Sequence, residues 1–175
     1  SRGLGDVYKR QIVTGAGSLG ALNQILKTFA GVNADGVQDE VIYAWRSFEA
    51  YPILVGIMGA RSVQVPNLPD GSHDLDAMVA AITERTRLIL VCTPNNPTGP
   101  AVTESQIRAF LAKVPAHIPV VIDEAYFEFC AASTVPEGEE APLNGLDIYR
   151  DYENVIILRT FSKAHGLANL RVGYS

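Results

Sequence analysis

Asn154-Val155-Ile156-Ile157-Leu158-Arg159-Thr160-Phe161-Ser162-Lys163-Ala164-His165-Gly166 is the stretch on which the reading turns. Its first five residues are an apolar run of strand length. The run breaks into Thr-x-Ser-Lys and then a glycine, so one lysine stands at the lip of a sheet. Such a lysine is either a solvated residue at a helix start or an activated amine that forms a Schiff base with a carbonyl cofactor. Two upstream stretches bear on the choice: Pro94-Asn95-Asn96-Pro97-Thr98-Gly99 and Asp123-Glu124-Ala125-Tyr126.

Working outward, short apolar strands alternate with amphipathic helices. Strands are expected at Ile12–Thr14, Val41–Ala44, Ser62–Val65, Leu88–Cys92, Pro119–Asp123 and Asn154–Leu158. Between them, Leu19, Leu22, Ile25, Leu26 and Phe29 share one helical face. Phe48, Tyr51, Pro52, Val55 and Met58 suggest a second helix ending at Gly59. Asp74 caps a third, carrying Leu75, Met78, Val79 and Ile82. Thr103 and Gln106 form a capping box for a fourth, Glu104 to Lys113. A polar loop is expected from Ala131 to Asn144, and a short helix around Leu146 to Tyr152. Continuous apolar strands alternating with helices predict a three-layer α/β/α fold with a mainly parallel sheet. Ligands on such sheets bind at the loops outside the strand ends, where all the polar motifs fall.

The 175 residues suffice for one domain with a substantial core. A formal net charge of −5 and a pI near 5.1 speak against a nucleic-acid or anionic-membrane surface. No apolar stretch reaches the roughly 18 residues that span a bilayer, and no secretory signal opens the chain. Cys92 and Cys130 sit beside apolar runs without metal-ligand spacing. They read as core thiols of a reducing compartment, with no metal expected. A cytoplasmic location follows as an expectation. Residues 1–11 lack a period and read as a non-native or disordered leader, leaving 12–175 as the folded unit. The chain stops inside the strand-like Gly173-Tyr174-Ser175, which suggests a piece of a longer protein.

Each motif has a plainer reading beside the functional one. Gly15-Ala16-Gly17-Ser18-Leu19-Gly20 matches the dinucleotide fingerprint by letter. The fingerprint's acidic residue at the end of the second strand is missing, since Tyr43-Ala44-Trp45 stands there. What remains is a helix start able to cradle a phosphate, or a structural tight turn. Phe48 could stack on a flat heterocycle or pack in the core. An asparagine fixed between Pro94 and Pro97 could donate to a cofactor oxygen, or simply build a turn. Asp123 ends a buried strand, where a carboxylate needs a partner such as a protonated ring nitrogen; otherwise it caps the next helix. Tyr126 offers a phenol on the same side of that turn. Arg171 suits a phosphate, or a surface ion pair.

Taken together, these motifs resemble the large domain of fold-type I pyridoxal-phosphate-dependent aminotransferases, in the histidinol-phosphate and aromatic aminotransferase branch. The resemblance is carried by Gly15-Ala16-Gly17-Ser18, Trp45-Arg46-Ser47-Phe48-Glu49-Ala50-Tyr51, Asn95-Asn96-Pro97-Thr98-Gly99, Asp123-Glu124-Ala125-Tyr126, Thr160-Phe161-Ser162-Lys163 and Arg171. It implies pyridoxal 5'-phosphate as cofactor, with Lys163 forming the imine and moving the proton. It further implies that Asp123 pairs with the ring nitrogen. Asn96 and Tyr126 would bond the ring's phenolic oxygen, and Phe48 would stack on the ring. The phosphate would rest on Ala16, Gly17 and Ser18 with Ser162 and Arg171. Trp45 and Tyr51 match the pattern without a role. His165 and Asn169 depart from it, touching packing or a nearby surface. The implied reaction is a ping-pong exchange between an amino donor, histidinol phosphate or an aromatic amino acid, and a 2-oxo acid such as 2-oxoglutarate.

The resemblance also implies a homodimer and a small domain beyond Ser175. The 175-residue piece alone is therefore expected to be weakly active or inactive. Two other readings share the motifs: a decarboxylase of the same fold, and a non-catalytic nucleotide-binding module.

Overall fold

The computed structural model describes residues 12–131 and 135–175. The leader expected over 1–11, and part of the loop expected over 131–144, lie outside the described residues. Among the described residues are seven strands and six α-helices: β1 (Thr14–Ala16), α1 (Gly17–Phe29), β2 (Glu40–Trp45), α2 (Ala50–Ile57), β3 (Arg61–Pro66), α3 (Leu75–Ala80), β4 (Thr86–Cys92), α4 (Glu104–Leu111), β5 (Val120–Asp123), α5 (Phe127–Ala131), α6 (Gly145–Ile148), β6 (Val155–Thr160) and β7 (Val172–Tyr174).

The strands form one sheet in the order β1-β7-β6-β5-β4-β2-β3. Neighbours from β3 through β2, β4 and β5 to β6 are parallel, and β7 runs antiparallel to both β6 and β1. The alternation of strand side chains sorts them into two cores. Val41, Tyr43, Leu88, Leu90 and Val121 face α1 and α2, against Leu22, Leu26 and Val55. Ile42, Ile89, Val91, Val120 and Ile122 face the other way, against Met78, Ile107, Phe110 and Ile148. Both sheet faces are therefore covered, which is why the central strands read as unbroken apolar runs.

Local signals place the helix starts. Asp74 accepts from the Ala77 amide at 2.8 Å ahead of α3. Thr103 and Gln106 complete the capping box of α4. Several boundaries differ from expectation. β1 begins at Thr14, two residues beyond the expected Ile12. Leu19 and Phe29 stand outside the core, each 38% exposed, because the buried stripe of α1 runs through Ala21, Leu22, Ile25 and Leu26. Phe48 lies ahead of α2, and α5 follows the turn after Asp123. The expected helix at Leu146 to Tyr152 is α6 followed by a 3-10 turn, Tyr149–Asp151.

Candidate active site

Parallel strands end together, so the loops after β2, β4, β5 and β6 share one edge of the sheet. Asp123 is the last residue of β5, and Lys163 stands three residues beyond the end of β6, its neighbour. The β5 carboxylate is buried, and burial pushes its pKa up. Three groups oppose that rise, in decreasing order: the Tyr51 hydroxyl, the Ala125 amide and the charge of Lys163. The lysine and the acid thus lie within electrostatic reach of one another. The Lys163 ammonium also sits 5.0 Å from the centre of the Tyr126 ring.

Within the chain, Asp123 accepts from two donors. Oδ2 accepts from the Tyr51 hydroxyl at 2.7 Å, and Oδ1 accepts from the Ala125 amide at 3.2 Å. Tyr51 is the functional candidate that sequence reasoning left without a role. The Phe48-x-x-Tyr51 spacing was its one local signal. The contact itself spans 72 residues and needs the sheet order to be seen.

The two asparagines of the β4 loop divide the work. Asn95 is buried and braces loops: Oδ1 accepts from Ser47 at 2.7 Å, and Nδ2 donates to the Arg46 carbonyl at 2.9 Å and to Thr98 Oγ1 at 2.7 Å. Asn96 and Tyr126 both line an open cleft of about 390 Å³. Phe129 and Cys130 line the same cleft, so Cys130 is a partly buried cleft residue rather than a core thiol. Cys92 is buried as expected, and burial pushes its thiol up to about 12. Phe48 is half-buried, packing its ring against Tyr51 at 5.6 Å edge-on.

A second cluster closes the start of α1. Arg171 donates to Ser162 Oγ at 3.3 Å, to the Ala168 carbonyl at 3.0 Å and to the Ala16 carbonyl at 3.3 Å. Gly17 takes φ +70°, and a Cβ there would lie 2.4 Å from Arg171 Nη2. Helix α1 has no side-chain cap and no acidic residue in its first turn, where Ser18 is half-buried. Uncapped amides, a hydroxyl and a guanidinium fork form a donor set suited to a phosphate. The structure therefore brings Asp123, Lys163, Asn96, Tyr126 and Phe48 to one edge, with Ala16, Gly17, Ser18, Ser162 and Arg171 beside them. The residues present fit a phosphorylated aromatic ring. His165 is exposed, 3.2 Å from Glu128 Oε1, with its ring tilted 52° to that of Phe161 at 5.3 Å. Asn169 is exposed as well.

A mainly parallel sheet covered by helices on both faces, with the candidate residues at its strand ends, defines a three-layer α/β protein. The chain belongs to the aminotransferase class I and II family, whose model matches residues 3–175. It is 54% identical over 164 residues to an aromatic amino acid aminotransferase of Streptomyces coelicolor, covering 94% of this chain and 42% of that protein. An aromatic amino acid aminotransferase of Rhodococcus opacus is 51% identical over 169 residues, covering 97% and 43%. The chain spans less than half the length of these curated relatives. Among solved structures, histidinol-phosphate aminotransferase from Sinorhizobium meliloti, in complex with pyridoxal-5'-phosphate, superposes with a TM-score of 0.77 at 32% identity over 94% of this chain and 41% of that one. A likeness to L-threonine-O-3-phosphate decarboxylase from Porphyromonas gingivalis, at 23% identity, TM-score 0.71, and 96% and 48% coverage, shows the fold alone. Neither the decarboxylase nor the nucleotide-module reading is favoured by these relatives.

Proposed function

We propose that the protein carrying this chain is a pyridoxal-phosphate-dependent aminotransferase, exchanging an amino group between an aromatic amino acid or histidinol phosphate and 2-oxoglutarate. The observation that carries it is the meeting of Asp123 and Lys163, on adjacent strand ends, beside the Arg171–Gly17 cradle. The aromatic donor is supported by the relatives at 51–54% identity. Pyridoxal phosphate, when bound, supplies an aldehyde and an electron-withdrawing ring.

The chain's residues do the rest. The amine of Lys163 takes the proton from the donor's α-carbon and later returns it, as general base and then acid. Asp123 would pair with a protonated ring nitrogen through its buried carboxylate. Asn96 and Tyr126 would donate to the ring's hydroxyl oxygen, and Phe48 would lie against the ring. The amides of Ala16, Gly17 and Ser18, with Ser162 and Arg171, hold the phosphate. Net charge and the lack of any described helix long and apolar enough to cross a membrane fit a cytoplasmic enzyme. Ile53 and Ile57, one turn apart on α2 and 62% and 67% exposed, support a homodimer in which a second copy covers apolar surface.

The experiment is chemical trapping in the full-length protein. Borohydride added after pyridoxal phosphate should leave a pyridoxyl label on Lys163, located by mass spectrometry. Lys163→Ala should lose the label, and transamination should fall by at least about 100-fold. Undiminished turnover in that variant sinks the reading.

A further inference from the structure

Tyr51 is fully buried, yet its hydroxyl does not end on a main-chain carbonyl. It donates to Asp123 Oδ2 at 2.7 Å. Its ring is fixed by edge-on contacts with Tyr43 at 5.5 Å and Phe48 at 5.6 Å. Tyr43 and Tyr51 belong to the apolar core between the sheet and α1–α2, so the phenol has little freedom to turn away. The second carboxylate oxygen takes the Ala125 amide. Each oxygen therefore holds one protein donor, and two fixed donors set the plane of the carboxylate. A carboxylate has about four acceptor sites, so roughly two remain for a ligand.

We infer that Tyr51 is a positioning residue of the cofactor site: its hydroxyl orients the Asp123 carboxylate toward the cofactor's ring nitrogen and favours its charged form. This rests on the proposed function above. A hydrogen bond donated to the charged form favours that form, against the burial that disfavours it. The phenol is a dependable donor, because burial and the adjacent Asp123 raise its own pKa well above the usual range. Phe48, read as the ring-stacking residue, touches Tyr51 directly. One aromatic pair would then serve both the face and the edge of the same ring.

Tyr51→Phe in the full-length protein removes one oxygen and keeps the ring. The measurement is the dissociation constant of pyridoxal phosphate beside that of 1-deazapyridoxal phosphate, in which CH replaces the ring nitrogen. The analogue has nothing for Asp123 to pair with. A tyrosine acting through that pairing weakens pyridoxal phosphate by roughly 10-fold or more, while the analogue moves by less than about threefold. Parallel losses for both ligands, or no loss for either, overturn the inference and leave Tyr51 as core packing. Should the phenylalanine variant not fold by circular dichroism, Tyr51→Leu, which keeps an apolar side chain in the core and also lacks the donor, goes through the same pair of measurements. There too, a larger loss for pyridoxal phosphate than for the analogue supports the inference, and parallel or absent losses overturn it. A wild-type protein that binds neither ligand would instead overturn the proposed function, so the two failures are distinguishable.

Discussion

The Arg171 guanidinium fills the space that a side chain at Gly17 would need, with Nη2 2.4 Å from the position of a Cβ. Both residues hold left-handed backbone, at φ 51° and +70°. The two lie at opposite ends of the described chain, and β7 and the start of α1 meet because Gly173 also lacks a side chain. Gly17→Ala would push aside the end of a flexible arginine, which is cheap, but would strain a left-handed position. We expect a stability loss of about 1–3 kcal/mol in urea unfolding. Phosphate affinity should fall with it, because Arg171 is displaced. Unchanged stability and unchanged phosphate binding would refute the coupling.

Glu124 is wholly buried and is held by charge. Its Oε2 takes Arg159 Nε at 2.9 Å, and its Oε1 takes the Gly145 amide. The same guanidinium lies 4.2 Å from the centre of the Phe127 ring. Removing one partner leaves a buried charge without its counter-ion. Arg159→Met should therefore destabilise the protein by about 3–5 kcal/mol, and adding Glu124→Gln should recover much of that. Chemical denaturation of the wild type and these two variants decides it. A mild effect of the single change would show that water reaches Glu124.

Thr103 tests a smaller term. Its Oγ1 accepts from the Gln106 amide, and the Gln106 side chain accepts from the Thr103 amide at 2.9 Å. Thr103→Ala leaves the Gln106 amide without its side-chain partner. The expected loss is about 0.5–2 kcal/mol by thermal or urea unfolding, with cofactor affinity unchanged. A loss of cofactor affinity would mean that α4 steers the Asn96 loop.

The parallel sheet was legible because its strands, buried on both faces, are unbroken apolar runs such as Leu88 to Cys92. Helix starts were legible at Asp74 and Thr103, where a cap is local chemistry. Candidate residues were legible as motifs, since each sits at a strand end. Less legible were the relations between distant segments. Asp123 meets Tyr51 only because β4 lies between β2 and β5, and no local pattern encodes that order. Cys130 read as core because Phe127–Ala131 was not recognised as a helix beside the cleft. Leu19 and Phe29 share a helical stripe by spacing, but the sheet covers only its neighbour through Leu22 and Leu26.

The ionisation of Asp123 carries a pH signature with a definite sign. Its carboxyl pKa is raised from 3.8 by burial, against the Tyr51 hydroxyl, the Ala125 amide and the Lys163 charge. A folded protein that holds a proton more tightly than its unfolded chain is favoured while that proton is bound. The contribution is fully present below 3.8 and is lost as pH rises through the higher folded value; beyond it, the buried charge is a constant cost. Asp123→Asn removes the cost but resembles the protonated acid. In the cofactor-free protein, the variant should gain stability relative to wild type as pH climbs through this window, then keep a fixed advantage. Urea unfolding at a series of pH values measures the difference, and parallel curves would show that Asp123 is solvated. With pyridoxal phosphate present the ranking should reverse. The asparagine cannot counter a protonated ring nitrogen, so the wild type alone gains the linkage energy of tight binding.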